Sequence, residues 1–211
     1  MDISNTKKRG RPSKTEQGYN KTRIQLLRAG VIFLTQKGFS TTGIDEILKS
    51  VNIPKGSFYH FFKNKETFGL EIIDIYADYF NKKLNSFFNN HKLSPLDRLK
   101  AFCLSAEYGM QKYNYDRGCL VGNLGQEMAL LPTSLVTKII NTLTIWEQLT
   151  QDYLQEAKNK KEIDETIDCQ HMAHIFWIGW EGAILRAKLE KKSEPLSLFR
   201  DYFIKSISYH H

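Results

Sequence analysis

The chain has 211 residues, 41% of them hydrophobic, and a formal net charge of +7, enough apolar material for a substantial core in one or two domains. No apolar run approaches the ~20 residues of a membrane helix, and the polar start Met-Asp-Ile-Ser-Asn-Thr-Lys-Lys-Arg lacks the apolar segment of a signal peptide. Cys103, Cys119 and Cys169 are too few and too far apart for a disulfide framework, so membrane and disulfide-stapled classes are set aside and a reduced, cytoplasmic setting is expected.

Residues 1–19 are polar, with Gly10, Pro12 and Gly18, and read as a flexible arm. Residues 1–65 hold 13 Lys or Arg against 4 acids, whereas residues 66–211 hold 17 against 19. A basic amino-terminal third is the footprint of phosphate contact, although a solubilising tail fits the charge alone. Within the arm, Arg9-Gly10-Arg11-Pro12 resembles the core of an AT-hook. Two readings follow for Arg9 and Arg11: insertion into a narrow A·T minor groove, whose negative potential favours arginine, or a non-specific basic tail.

A first helix is expected from about Lys21 to Lys37, with Ile24, Leu27, Val31 and Leu34 on one stripe and Gly38 as its stop. Ile44, Ile47, Leu48 and Val51 then mark a short amphipathic helix, preceded by Thr42 and Asp45 in a capping-box-like spacing. After the turn Val51-Asn52-Ile53, Pro54 suits the first turn of a second helix carrying Lys55, Ser57, Tyr59 and His60, with Phe58, Phe61 and Phe62 anchored in the core. Two helices so joined are the layout of a helix-turn-helix, one bracing across the DNA backbone and one entering the major groove.

Gly38-Phe39, Thr41-Thr42, Ile44, Ile47, Val51, the run Pro54 to Phe62 and Lys63-Asn64-Lys65-Glu66 together resemble the amino-terminal domain of the TetR/AcrR family of transcriptional repressors. The detailed resemblance covers roughly residues 20–70. Gly30 departs from it, standing where the family usually has alanine, at ~1 kcal/mol of helix propensity. On this reading Thr41 and Thr42 would bond phosphate at a helix start. Lys55 and Ser57 would reach base edges or phosphate, Tyr59 phosphate, His60 either, and Lys65 would clamp phosphate.

A long helix is expected from near Asn64, its apolar face marked by Phe68, Ile72, Ile75 and Tyr79. Ser94-Pro95-Leu96-Asp97 is a strong helix start, and Leu99, Phe102, Cys103, Ala106 and Met110 follow on one face. The next helix spans about Ser134 to Lys158, with Val136, Ile140, Leu143, Leu149, Tyr153 and Leu154 inside. Another runs from about Asp168 to Leu189, and Ser193-Glu194-Pro195 starts the last, through Leu198, Phe199, Phe203 and Ile207. No window alternates for long enough to demand a strand. The expected fold is all-α, about nine helices: a helix-turn-helix domain over residues 20–66 and a ligand-binding and dimerisation domain over residues 67–211.

The penultimate helix is apolar nearly all round from Ile175 to Leu185, which predicts burial on two sides. Gly179, Ala183 and Ala187 form a small-residue strip along it. The resemblance implies that the last two helices pair with those of a second subunit, placing Gly179, Ala183, Ala187, Phe199 and Phe203 at a homodimer interface. Close packing within one chain is the other use of such a strip.

The segment Asp116 to Ala129, with Gly118-Cys119-Leu120, Asn123-Leu124 and Glu127, is similar to a stretch in the branch that includes NemR-like and AcuR-like repressors. That branch responds to reactive electrophiles or small unsaturated acids. Three glycines and Asn123 suit a hinge beside a pocket. Arg117 next to Cys119 would favour a sensing thiolate, with Lys188 as a second cation, while an inert buried cysteine is the other reading. Cys169, His171 and His174 do not make a metal set, since only the histidines share a helical face.

The expected function is therefore a TetR-like repressor, released from a palindromic double-stranded DNA operator by a small-molecule or electrophile inducer. No cofactor, metal or membrane partner is expected. An architectural A·T-rich DNA-binding protein without inducer is the alternative. An enzyme is more remote, since no nucleophile–base pairing or phosphate loop appears.

Overall fold

The computed structural model describes residues 16–208, and all named elements in that range are helical. In chain order they are α1 (Glu16–Lys37), α2 (Ile44–Ser50), the 3-10 helix η1 (Lys55–His60), α3 (Lys65–Phe88), α4 (Pro95–Lys112) and α5 (Leu120–Gly125). The 3-10 helix η2 (Met128–Leu130), α6 (Thr133–Asn159), α7 (Cys169–Glu190) and α8 (Glu194–Ile207) complete the set. An isolated bridge ties Ile163 to Ser208. No described helix is long and apolar enough to cross a membrane.

Local chemistry sets the helix ends. Asn64 accepts from the N–H of Thr67 at 2.8 Å, Ser94 from that of Asp97 at 3.3 Å, and Asp168 from that of His171 at 3.0 Å, each satisfying an amide that the first turn leaves open. Gly38 ends α1 with φ +90, a conformation open to glycine, and its N–H reaches the Leu34 carbonyl at 3.0 Å. α1 begins at Glu16, ahead of the expected Lys21.

α1 packs on α2, α3 and α5, while α3, α4, α6, α7 and α8 enclose the main core. Trp146, Trp177 and Trp180 are fully buried with Phe102 and Phe176, each burial contributing on the order of 2–3 kcal/mol. Their polar edges find partners: Trp146 donates to Asn81 at 2.9 Å and Trp177 to Thr150 at 2.9 Å. Arg98 is wholly buried, yet it donates to the Phe88 carbonyl at 2.7 Å, closing α3, and pairs with Glu156 of α6 at 3.0 Å. Removing Glu156 would leave that cation uncompensated, a strongly destabilising change.

Several expected core positions face outward. Ile24, Ile75, Tyr79, Ile140 and Leu198 are exposed, and Leu26, Ile73, Leu84, Ile139 and Leu196 are buried instead. The rest of the stripes fall as expected, with Leu27, Leu34, Phe68, Ile72, Leu99, Phe102, Leu154, Phe203 and Ile207 buried, so each outlier is an apolar residue at the edge of a buried face. α7 is buried on its inner side only, with Ile178 exposed at 62%. Its small-residue strip receives α8 of the same chain: a Cβ at Gly179 would collide with the Phe199 ring, and Ala183, Ala187 and Phe203 are buried. The large apolar side chains left open on α7 and α8 are Ile175, Ile178, Leu189, Leu198 and Tyr202.

Candidate functional site

One end of the molecule carries η1. Pro54 supplies the fixed φ that turns the chain into it, and buried Phe58 and Phe62 hold its inner side against Phe68 of α3. Lys55, Gly56, Tyr59 and His60 are exposed, and Ser57 is half-buried. The Lys55 ammonium lies 2.5 Å from Asp45 of α2, whose hydrogen bond and charge raise its pKa. Tyr59 is 68% exposed, its ring set edge-on to Phe58.

Two of the expected DNA contacts sit otherwise. Thr42 is buried and its hydroxyl donates to the Gly38 carbonyl at 2.5 Å; Gly43 takes the N-cap position of α2 without a side-chain bond. Thr41 remains exposed but donates to the Lys37 carbonyl at 2.6 Å. Both hydroxyls close the open carbonyls at the end of α1 rather than the start of α2. Lys65 is half-buried with its ammonium 4.5 Å from the centroid of the Phe39 ring, and burial lowers its pKa. Arg9 and Arg11, and with them the AT-hook reading, lie outside the described residues.

A cavity of about 250 Å³ opens between α1, α3, α4 and α7. Val31, Ile32 and Thr35 of α1 form one wall. Tyr76, Phe80 and Lys83 of α3 face it, with Gly109 and Met110 of α4 at one side. Trp177, Trp180, Glu181 and Ile184 of α7 close the floor beside Arg117 and Cys119. The walls are apolar apart from a few placed groups, the usual composition of a small-molecule site. Two of those groups each keep one atom without a partner: Nε of Arg117 and Oε1 of Glu181 are buried with no hydrogen-bond partner among the described residues. The Arg117 guanidinium stacks on Tyr113 at 4.0 Å.

Burial raises the Glu181 carboxyl to about 7. Cys119 lies within hydrogen-bonding reach of both Tyr76 and Glu181, and Tyr76 feels the Glu181 charge. Burial, and then the Glu181 charge, push the Cys119 thiol well above its ordinary value, which favours the inert buried cysteine over the thiolate. Its electrostatic neighbour is a carboxyl from α7, not Arg117, whose guanidinium is taken up by Tyr113. Burial also lowers the pKa of Lys83 at the cavity wall.

The segment after Cys119 is helical in spite of its glycines. It folds as α5, with Leu120, Val121 and Leu124 buried and the Cys119 sulfur accepting from the Gly122 N–H at 3.4 Å. Asn123 donates its amide to the Thr35 carbonyl of α1 and accepts from Lys188 at 3.1 Å. Lys188 also donates to the Thr35 carbonyl at 3.3 Å. Asn123 and Lys188 thus meet, but at the seam between α5, α1 and α7. Cys169 is buried, while His171 is exposed and His174 bonds Glu147 at 2.9 Å. No group of described residues is arranged to hold a metal.

Sequence reasoning passed over Glu181, Tyr76 and Lys83. Glu181 had a signal: it is the lone charge in the apolar run Ile175 to Leu185, where a carboxyl must find a partner or give up its charge. Tyr76 and Lys83 had none, since their roles follow from helices that meet only in three dimensions.

A family model described as bacterial regulatory proteins, tetR family, matches residues 26–72, and one described as tetracyclin repressor-like, C-terminal domain, matches residues 95–203. The transcriptional regulator AcuR of Cereibacter sphaeroides is 48% identical over 84% of this chain and 81% of its own length. The HTH-type transcriptional repressor NemR of Escherichia coli is 26% identical over 83% and 88%. A crystal structure of regulatory protein TetR from Rhodobacter sphaeroides superposes with a TM-score of 0.85 at 47% identity, covering 87% of this chain and 97% of that one.

Proposed function

The chain belongs to the TetR family of bacterial transcriptional regulators, and on that premise we propose that it is a cytoplasmic, homodimeric repressor released from a palindromic operator by a small molecule held in the cavity. The observation that carries the proposal is that the cavity is walled by α1, the helix that packs directly on α2. A ligand touching Val31, Ile32 and Thr35 is in contact with the same helix that supports the helix-turn-helix. Such a ligand shifts operator affinity only if it binds the two arrangements of that helix unequally.

The DNA-binding unit is assigned to α1, α2 and η1, near residues 20–66, and the ligand and dimer unit to residues 67–211. Lys55, Ser57, Tyr59 and His60 are the proposed groove and phosphate contacts. Thr41 and Thr42 can still offer backbone N–H groups, but their hydroxyls are already engaged. The outer apolar face of α7 and α8, with Ile178, Leu198 and Tyr202, supports a two-fold pairing that would set two η1 segments on successive major grooves. The architectural alternative is not favoured, since it calls for neither the cavity nor the carboxy-terminal domain match.

The partnerless atoms of Arg117 and Glu181 support a small ligand with an acceptor oxygen for the guanidinium and a second polar point for the carboxyl. A small unsaturated acid has that form. The neutral, buried Cys119 supports reversible binding over thiolate capture. The test is selection of bound duplexes from a random library by the full-length protein. A palindromic consensus is expected; enrichment of A·T-rich sequence without symmetry would favour the architectural reading.

A further inference from the structure

The segment from Cys119 to Glu127 touches both the cavity and the helix-turn-helix. At its start, Cys119 lines the cavity, and Gly122 lies under the Glu181 carboxylate so closely that a Cβ there would collide with Oε2. At its end, Glu127 reaches the turn between α1 and α2. Its Oε1 accepts from the Phe39 N–H at 3.0 Å and its Oε2 from the Ser40 N–H at 2.7 Å. Gly38 is required for this approach, because a side chain there would overlap the same carboxylate. Lys65, at the start of α3, feels the Glu127 charge and covers the Phe39 ring.

Between these ends the segment is a packed helix, tied to α1 by the Asn123 amide on the Thr35 carbonyl. Backbone bonds continue it to its far end, the Gln126 N–H reaching the Gly122 carbonyl at 3.3 Å and the Glu127 N–H the Leu124 carbonyl at 3.0 Å, a continuous bonded path from Gly122 to Glu127. The two amides that Glu127 holds lie at the turn that sets where α2 starts, and α2 in turn carries Asp45, the partner of Lys55.

We propose that Glu127 is the positioning residue that couples the cavity to the DNA-binding end, its carboxylate holding the α1–α2 turn in register with α5. This rests on the regulator reading above. When the cavity fills, Glu181 and Gly122 move, α5 follows, and the Phe39 and Ser40 amides are drawn with Glu127. Without the carboxylate α5 still bears on α1 through Asn123, but it no longer carries the Phe39 and Ser40 amides with it. The role is not that of a DNA contact or a ligand contact, and neither face of the molecule reveals it alone.

A double-mutant cycle tests this without knowledge of the natural ligand. Gly122→Ala forces the Glu181 carboxylate aside and serves as a fixed cavity-side perturbation. Affinity for a selected duplex is measured by anisotropy for the full-length wild type, Gly122→Ala, Glu127→Ala and the double variant. The expectation is that Gly122→Ala changes affinity by about fivefold or more when Glu127 is present, and by less than about twofold when it is absent. Should Gly122→Ala fail to fold, Glu181→Gln takes its place, and Glu127→Gln stands in for Glu127→Ala. Equal shifts in both backgrounds, or no shift in either, would overturn the coupling role. If the wild type enriches no duplex at all, the regulator reading itself falls and the coupling role with it.

Discussion

The carboxylate of Glu181 lies directly over Gly122, in the space that any Cβ at that position would need. The glycine admits a buried acid at the wall of the cavity, and burial raises that acid from 4.5 to about 7. Between about pH 4.5 and 7 the folded chain keeps a proton that the unfolded chain has released. Stability therefore falls as pH rises through that window and levels off above it. Cys119 and Tyr76 beside it stay neutral throughout, since burial raises both well above their ordinary values. Thermal melts from pH 5 to pH 8 should show a steeper loss for wild type than for Glu181→Gln, the difference being on the order of 2 kcal/mol. Parallel curves would mean that the Glu181 proton is not retained on folding.

The same pair governs the thiol. Cys119 is buried and faces a carboxyl, so alkylation by iodoacetamide at pH 8 should proceed at least about tenfold more slowly than for the unfolded chain. Glu181→Gln removes the opposing charge and should speed the reaction at Cys119, read by peptide mass spectrometry. Fast wild-type labelling at Cys119 would restore the thiolate-sensor reading.

At the DNA end, Lys55→Ala should weaken binding to a selected duplex by about tenfold, as when a groove or phosphate partner is removed. Tyr59→Phe should weaken it less, since only a hydroxyl is removed. Both side chains are exposed, so circular dichroism melts should match wild type. Undiminished affinity in both variants would move the recognition surface away from η1.

Deleting residues 1–14 removes five Lys or Arg. If they neutralise phosphates, the slope of log affinity against log salt should become shallower by roughly 0.9 for each phosphate that the shortened chain no longer reaches. An unchanged slope would mean that the arm leaves DNA untouched.

How much of this was legible in the sequence depended on range. The starts at Asn64 and Ser94 were readable because a cap and its amide sit three residues apart, and that at Ser193-Glu194-Pro195 because proline suits a first turn; all three fall where expected. Thr42 misled because a threonine can close the helix behind it as readily as the one ahead, and only the path of the Gly38 turn decides which. The Gly179 strip was correctly read as a close approach, but periodicity does not tell one chain's α8 from another's. Cys119 misled most: Arg117 is its neighbour in sequence, while Glu181, on a helix far along the chain, is its neighbour in space. Glu127 was visible as part of a motif, yet its partners Phe39 and Ser40 lie at the far end of the fold. Contacts within one helix were legible; the seams between helices were not.

The most direct measurement concerns the cavity. Gly109 lines it on α4, and a Cβ at that position meets nothing within 4 Å, so Gly109→Phe can fill the space from inside. A labelled, selected duplex bound by full-length protein is titrated with a panel of small unsaturated acids, acrylate first, and the loss of anisotropy is followed. The expected result is that an acid which releases DNA from wild type leaves the Gly109→Phe complex bound, with the two proteins holding the duplex equally well beforehand. Release of both at the same concentration would contradict the cavity as the place where the inducer acts.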